Sequence, residues 1–205
     1  MTEPGRSVVV FDVGGVLIDW DPRHLYRKLF SGDEPAMEHF LANVCTHEWN
    51  RCQDAGRSFA EGARLLRLEH PDKAQMINAY GARFDEMMAG PIVGAVEILA
   101  ELRERGTPLY CLSNFSAETF PPALERFDFL GWFRGMVISG EVGVIKPDPR
   151  IYEIMLARFA IDPRRAVYID DVAANVEAAR LFGIHGIHFT APDALREALV
   201  RLALL

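Results

Sequence analysis

The sequence predicts an α/β fold in which a parallel β-sheet carries helices on both faces and a helical segment is inserted near the N-terminus. Along most of the chain, short apolar runs typical of buried strands alternate with amphipathic stretches of helical period. The interval 21–89 breaks this alternation, since it carries several helical patterns and no strand-like run. We therefore expect an α/β core formed by residues 1–20 and 90–205, with a helical-bundle cap over residues 21–89.

The predicted core begins with Ser7–Phe11, a β-branched run that ends at Asp12 and precedes a tight turn at Gly14–Gly15. Four later runs have the same character: Leu109–Leu112, Met136–Ser139, Ala166–Ile169 and Gly186–Phe189. Helical patterns separate or follow these runs: Val93–Arg105, Ala117–Phe127, Pro149–Phe159, Ala173–Phe182 and Pro192–Leu205. Right-handed crossovers would join the strands into one parallel sheet.

The interval between the first strand and the rest of the core contains four helical patterns: Arg23–Phe30, Pro35–Arg51, Phe59–Leu68 and Ala74–Met88. We expect these helices to cover the edge of the sheet as a lid. Ligands of such sheets bind at the carboxyl ends of the strands, so this lid would lie over the site.

Composition narrows the classes of partner. The chain has 205 residues and a formal net charge of −7, and it contains no basic stripe, which argues against nucleic-acid or anionic-membrane binding. No apolar stretch reaches the roughly 18 residues of a membrane span, and no secretory segment precedes Asp12. Cys45, Cys52 and Cys111 lack paired ligand spacing, so we expect reduced thiols and a cytoplasmic protein.

Polar residues follow four of the predicted core strands. Asp12 follows the first, Ser113 and Asn114 the second, and Asp170 and Asp171 end the fourth. Lys146 lies in the connection after the third strand. Because the carboxyl ends of parallel strands share one edge of a sheet, these groups should converge.

Three converging carboxylates repel one another unless a counter-charge is present, and Mg²⁺ suits a site with few oxygen ligands. Lys146 would add a point charge, Ser113 and Asn114 hydrogen-bond donors, and a helix beginning near Ser116 its N-terminal dipole. This combination fits a phosphoryl group, which a free carboxylate could attack to form an aspartyl phosphate.

The segments FDVGGVLID, CLSN, IKPDPRIY and YIDDVAANVEAA resemble the four ordered motifs of the haloacid dehalogenase superfamily. The likeness covers Val8–Asp21 and Val93–Thr190, and it is to the helical-cap phosphatases whose first motif reads D-x-G. It implies a Rossmann-like core, Mg²⁺ as cofactor and a small phosphorylated metabolite as substrate.

The resemblance also implies roles for individual residues. Asp12 would be the nucleophile, with Ser113 and Lys146 holding the transferring group. The resemblance places Gly15 and Asn114 beside the phosphate. It also implies that Asp12, the Gly14 carbonyl and Asp171 bind the metal. Asp170 would lie beside the metal or reach it through a water molecule, and Asn175 would orient this motif.

One departure from the motif concerns proton transfer. Phosphatases of this superfamily outside the D-x-G branch carry a second Asp two residues after the nucleophile, where this chain has Gly14. A general acid contributes about 10²–10⁴ in rate. A substitute could come from Asp19 or Asp21 after the first strand, or from the cap, where Trp49 and Asn50 are candidate substrate contacts.

Three functions therefore remain open. The first is a phosphatase for small phosphomonoesters, such as sugar phosphates whose leaving group needs little protonation. The second is a 2-haloacid dehalogenase, which needs neither acid nor metal, but Asp170 and Asp171 would repel its carboxylate substrate. The third is a phospho-ligand or protein binding module with weak turnover. A monomer and a homodimer are both compatible with the apolar C-terminal helix.

Overall fold

This computed structural model describes residues 7–205, and within them five strands form one parallel sheet. The strands in chain order are β1 (Val8–Phe11), β2 (Ile18–Trp20), β3 (Met88–Pro91), β4 (Leu109–Ser113), β5 (Gly135–Ile138), β6 (Ala166–Asp170) and β7 (His185–His188). The order in the parallel sheet is β5-β4-β1-β6-β7, and β2 pairs with β3 in a separate antiparallel ribbon. The predicted α/β class is confirmed.

Strand β1 lies at the centre of the sheet, where Val9 pairs with Leu109 of β4 on one side and Val167 of β6 on the other. The chain leaves β1 toward β4 and later returns to its other side through β6. This reversal opens a crevice at the carboxyl end of β1, which is where ligands bind in sheets of this kind. Asp12 is the first residue beyond that end.

Helices cover both faces of the sheet because side chains of β1 alternate between two cores. The helices are α1 (Arg23–Leu29), α2 (Glu34–Asn43), α3 (His47–Asp54), α4 (Phe59–Glu69), α5 (Ala74–Ala82), α6 (Val93–Glu104), α7 (Phe120–Arg126), α8 (Ser139–Val142), α9 (Pro149–Phe159), α10 (Ala173–Arg180) and α11 (Pro192–Arg201). Val9 and Phe11 share a cluster with buried residues of α6 and α11, whereas Val10 joins Tyr152 of α9 and Ala179 of α10.

Helices α1 to α5 occupy the segment that was expected to form the cap, and their core is rich in aromatic rings. Tyr26, Phe40 and Tyr80 are buried and pack ring against ring, and Phe59 and Phe84 extend this cluster toward the sheet. The division of the chain into core and cap stays a prediction. No helix of the described residues is both long and apolar enough to cross a membrane.

Two predicted helices of this segment differ from the structure. The helix expected over Pro35–Arg51 is broken into α2 and α3, because the Thr46 hydroxyl caps the second helix by accepting from the Trp49 backbone N–H. The helix expected over Ala74–Met88 ends at Ala82 and continues as a 3₁₀ turn over Phe84–Met87.

The expectation that the inserted segment lacks a strand was wrong at its end. Met88 begins β3, which pairs antiparallel with β2, placing Ile18 opposite Pro91. Both strands are short and carry exposed residues, so neither has the apolar run of a buried strand. Smaller shifts affect other elements. The helix α7 begins at Phe120, α10 ends at Arg180 and α11 ends at Arg201, while β5 and β7 each begin one residue earlier than predicted.

Gly186 should be required for the packing of α10 on β7. A Cβ at this position would lie 2.6 Å from Val176 Cγ1 and 3.0 Å from the Val176 carbonyl oxygen. We expect Gly186→Ala to lower the free energy of unfolding by about 1–3 kcal/mol. Gly131→Ala is the matched control, because none of the described residues comes within 4 Å of its added Cβ. Urea unfolding of both variants measures the difference, and equal stabilities would contradict this packing.

Candidate active site

Asp12 lies at the carboxyl end of β1 and is held by three donors. Its Oδ1 accepts from the Val13 backbone N–H at 2.7 Å and from the Ser113 hydroxyl at 2.7 Å, and its Oδ2 lies 2.8 Å from Lys146 Nζ. Burial raises the pKa of Asp12 to about 7; Lys146 opposes this rise and Asp170 adds to it. The carboxyl group is therefore fixed in orientation, and a cation beside it would favour its ionised form.

Lys146 is completely buried, and its ammonium group uses all of its donors. Nζ contacts Asp12 Oδ2 at 2.8 Å, Asp170 Oδ2 at 2.7 Å and the Leu112 carbonyl oxygen at 3.1 Å. Burial alone would lower the pKa of Lys146, but the two carboxylates outweigh it and raise the pKa. Lys146 therefore stays charged and joins the ends of β1, β4 and β6.

Asp170 is buried at the end of β6, where protein donors occupy both of its carboxylate oxygens. Oδ2 accepts from Lys146 Nζ and the Tyr168 hydroxyl, and Oδ1 accepts from the Val172 backbone N–H at 2.8 Å. The Asn175 amide lies 3.0 and 3.1 Å from the two oxygens. Burial would raise the pKa of Asp170, but Lys146 and these donors lower it. Asp170 thus has little capacity left for a direct bond to a metal.

The Asp171 carboxylate packs directly on the turn after β1. A Cβ added to Gly15 would lie 2.3 Å from Asp171 Oδ2, and Gly15 has a φ of +72°, so the turn requires glycine here. Burial and the nearby Asp170 raise the pKa of Asp171. Gly14 differs, because its added Cβ would meet only Trp20 Cβ at 3.9 Å.

The carboxylates form a cluster whose chemistry suits a hard divalent cation. One ligand oxygen each from Asp12, Asp170 and Asp171 lie within 4.8 Å of one another. Three carboxylates around the single ammonium of Lys146 leave two negative charges without compensation. A divalent ion bound through oxygen ligands would neutralise them, so the residues fit Mg²⁺.

Asn114 connects the end of β4 to the Lys146 loop. Its Oδ1 accepts from the Lys146 backbone N–H at 2.7 Å, and its Nδ2 donates to the Lys146 carbonyl oxygen at 3.1 Å. Both polar ends of the side chain are therefore engaged in holding the loop that presents Lys146. The expected contact between Asn114 and phosphate stays a prediction.

A cavity of about 320 Å³ opens above the carboxyl ends of the strands. The core contributes most of the predicted site residues to its lining: Asp12, Gly14, Gly15, Asn114, Lys146, Asp171 and Asn175. Helix α3 closes part of the opposite side with Asn50, Arg51 and Asp54. Ser113 lies behind Asp12, to which its hydroxyl donates.

Three residues that the sequence suggested for proton transfer or substrate contact, Asp19, Asp21 and Trp49, do not line this cavity. Asp21 Oδ1 accepts from the Arg23 backbone N–H at 2.8 Å. Asp19 is exposed on β2 and pairs with His24 Nε2 at 3.1 Å. Trp49 packs edge-on against Tyr80 and donates from Nε1 to the Gly62 carbonyl oxygen at 3.3 Å. Their predicted roles in proton transfer and substrate contact gain no support from these positions.

Sequence reasoning missed Trp20, Arg51 and Asp54, which do line the cavity. The spacing of Asn50 and Asp54 was a usable signal, because residues four apart share one face of a helix. Polar side chains are seldom buried together, so such a pair on a buried face indicates a functional role. The helix expected to end at Arg51 concealed this pair, because α3 continues to Asp54.

The chain matches the family described as haloacid dehalogenase-like hydrolases over residues 7–183. The match includes every strand that builds the cavity edge, from β1 to β6. This protein belongs to the haloacid dehalogenase-like hydrolases. The resemblance inferred from the four motifs is therefore confirmed.

Relatives with curated names are distant, and several are phosphatases. Sesquiterpene phosphatase of Aspergillus oryzae is 25% identical over 195 residues, which cover 90% of each chain. The phosphorylated carbohydrates phosphatase of Thermotoga maritima is 26% identical over 191 residues, which cover 89% of this chain and 84% of that one. Acyl-CoA dehydrogenase family member 10 of Mus musculus is 27% identical over 210 residues; this chain spans 18% of its length, and the match covers 92% of this chain.

Solved structures share the fold. A haloacid dehalogenase family enzyme from Bacteroides thetaiotaomicron, in complex with magnesium and inorganic phosphate, superposes with a TM-score of 0.70. It is 24% identical, over 91% of this chain and 96% of that chain. L-2-haloacid dehalogenase from Xanthobacter autotrophicus is 18% identical, with a TM-score of 0.62 over 98% of this chain and 84% of that one. At these identities the likeness concerns the fold, which hydrolases of both kinds share.

Removal of Lys146 should destabilise the protein chiefly through Asp170. The buried Asp170 carboxylate would lose its counter-charge, so we expect Lys146→Met to lower the free energy of unfolding by about 3–5 kcal/mol. The double variant Lys146→Met/Asp170→Asn should recover more than half of this loss. Arg64→Met, which removes a solvent-exposed pair with Glu61, should cost less than about 1 kcal/mol. Additive losses in the double variant, measured by urea unfolding, would contradict this coupling.

Proposed function

We propose that the protein is a Mg²⁺-dependent phosphatase that hydrolyses small phosphomonoesters through an aspartyl phosphate on Asp12. The observation that carries this proposal is the convergence of Asp12, Ser113 and Lys146 beside the Asp170–Asp171 pair at one edge of the sheet. Relatives named as phosphatases that align over most of both chains support it.

The first step uses the fixed orientation of Asp12. Three donors hold its carboxylate at the mouth of the crevice, so one oxygen can attack phosphorus in line with the leaving group. Lys146 and Ser113 each direct one donor at Asp12. As an Asp12 oxygen bonds to phosphorus and loses its negative charge, these donors can shift to the phosphoryl oxygens, where negative charge develops. Water then cleaves the aspartyl phosphate and restores Asp12.

Asp12, Asp171 and the Gly14 carbonyl are the groups that would hold Mg²⁺. Bound there, the ion supplies positive charge to the phosphoryl oxygens of the substrate. Asp170 takes a different part, since its oxygens are occupied by Lys146, Tyr168, Val172 and Asn175. It fixes Lys146 and the start of α10, which places Asp171 against Gly15.

Charge disfavours the dehalogenase alternative. A 2-haloacid substrate brings a carboxylate into a cluster that already carries two uncompensated negative charges. Those same charges, neutralised by a divalent cation, would instead favour a phosphate ester. A phospho-ligand binding module would share the metal site but would not hydrolyse its ligand. A measurement of phosphate release therefore separates the binding module from the phosphatase.

Replacement of the nucleophile is the first test. We expect Asp12→Asn to lower kcat for p-nitrophenyl phosphate by on the order of 10⁴-fold or more, because the carboxamide is a poor nucleophile. Asp72→Asn, which changes an exposed carboxylate paired with Lys73, should retain full activity. Turnover retained by Asp12→Asn would exclude the aspartyl phosphate, and phosphate binding without turnover in the wild type would favour the binding module.

Removal of the metal is the second test. We expect EDTA to stop phosphate release and Mg²⁺ to restore it, and added Mg²⁺ should raise the Tm of the wild type by neutralising the carboxylates. Asp171→Asn should raise the Mg²⁺ concentration for half-maximal activity at least about tenfold and reduce the Tm shift. Asp128→Asn, at an exposed position, serves as the control. Halide release from a haloacetate without metal would identify a dehalogenase instead.

A further inference from the structure

The cavity above Asp12 contains a carboxyl group that the proposed chemistry has not used. Three carboxylates line the cavity: Asp12, Asp171 and Asp54. The first is the proposed nucleophile and the second a proposed metal ligand. Asp54 enters from the inserted segment, as the last residue of α3.

Asp54 is buried without a cation in contact. It is 7% exposed, its Oδ2 accepts from Asn50 Nδ2 at 3.0 Å, and it has no ion pair within 4.0 Å among the described residues. Burial raises the pKa of Asp54 to about 7, and the positive charges of Arg51 and Lys146 partly oppose the rise. The other titratable groups of its surroundings are His47 of α3, Tyr80 of α5, and Asp12 and Asp171 of the sheet edge.

The backbone of Asp54 is tied to the strand ends. The Ser139 hydroxyl donates to the Asp54 carbonyl oxygen at 2.6 Å and accepts from the Phe115 backbone N–H at 2.9 Å. Phe115 follows the Ser113–Asn114 segment that contacts Asp12 and the Lys146 loop. Gly56 packs closely on Gly140, since a Cβ added to Gly56 would lie 3.4 Å from the Gly140 carbonyl oxygen. This packing fixes the same junction. Asp54 is therefore held relative to the nucleophile.

Two polar atoms in the same cavity wall lack partners. Asn50 Oδ1, an acceptor, and Trp20 Nε1, a donor, are buried and make no hydrogen bond to any residue of the range 7–205. A buried group of this kind costs about 1–3 kcal/mol unless a ligand or water satisfies it. A hydroxylated ligand in the cavity can supply both kinds of partner, since each hydroxyl both donates and accepts.

We propose that Asp54 is the general acid and base of this phosphatase, in place of the carboxyl group absent at Gly14, and that it serves esters of unactivated, hydroxylated alcohols. This assignment rests on the proposed phosphatase function. As Asp12 bonds to phosphorus and the P–O bond to the leaving group breaks, the Asp54 proton passes to the leaving oxygen. The Asp54 carboxylate then takes a proton from water, whose oxygen attacks phosphorus and displaces Asp12, releasing inorganic phosphate and regenerating protonated Asp54.

The test compares phenyl phosphate with p-nitrophenyl phosphate, which differ in how much protonation the leaving oxygen needs. For Asp54→Asn we expect kcat/KM on phenyl phosphate to fall about 10²–10⁴-fold. On p-nitrophenyl phosphate, the rate of the first release of p-nitrophenolate should fall less than tenfold. Hydrolysis of the aspartyl phosphate should then be slow, so p-nitrophenolate should appear as a burst of one equivalent per protein. Equal losses on the two esters, or no loss, would overturn the acid assignment, and absence of the burst would overturn the base assignment.

A rescue variant separates catalysis from structure. In the Asp54→Asn background, Gly14→Asp should restore activity on phenyl phosphate at least tenfold, because the space beside Gly14 accepts a side chain. Gly14→Ala in the same background should not; equal behaviour of these two variants would count against the assignment. Asp54→Asn should be at least as stable as the wild type at pH 8, where a carboxyl with a raised pKa is ionised at a cost to stability.

The wild type separates the two proposals. A wild type that hydrolyses neither ester with Mg²⁺ present would contradict the phosphatase function and the role of Asp54 with it. A wild type that hydrolyses both esters, while Asp54→Asn loses neither, would overturn the role of Asp54 alone.

Discussion

The buried ammonium group of Lys146 is the interaction on which the site depends. It contacts carboxylates from the ends of β1 and β6 and a carbonyl from β4, so one side chain links three neighbouring strands. Without it, Asp12 and Asp170 would be buried like charges at short range. The single ammonium group balances the charge of only one of the three carboxylates in the cluster. The excess negative charge that remains is one that a divalent cation would neutralise.

The strand ends of the sheet and the inserted segment contribute different groups to the site around Lys146. Short strands that end together place the nucleophile, the cation and the acidic pair, and their positions depend on a sheet that is buried on both faces. Helix α3 of the inserted segment contributes the part of the cavity wall where Asn50 and Asp54 lie. Ser139 connects the two parts through the Asp54 carbonyl oxygen. Under the proposed function, the strand ends would therefore carry out the chemistry at phosphorus, and α3 would select the leaving group.

The sequence sufficed for groups fixed by strand ends and failed for groups fixed by long-range contacts. The convergence of Asp12 and Asp171 could be predicted because buried strands have a clear apolar signal and parallel strands end at one edge. Lys146, which lies beyond α8, was indicated by its place in the IKPDPRIY motif. The β2–β3 ribbon was missed because its strands are short and partly exposed. The break between α2 and α3, which turns Asp54 toward the sheet, follows from capping by Thr46 within a continuous helical pattern. The pairing of Asn114 with the Lys146 backbone, 32 residues away, has no local signal at all.

The most direct measurement of the central claim is a single turnover of an aryl phosphate in oxygen-18 water, with the protein in excess. If Asp12 carries a phosphoryl group, borohydride added during the turnover should reduce it to homoserine, whereas an unmodified Asp12 would contradict the intermediate. Because water attacks phosphorus, oxygen-18 should appear in the released phosphate and not in the peptide that contains Asp12. Label in the Asp12 carboxylate would contradict this, because it would mean that water attacks the carbonyl carbon of an Asp12 ester, as in a dehalogenase.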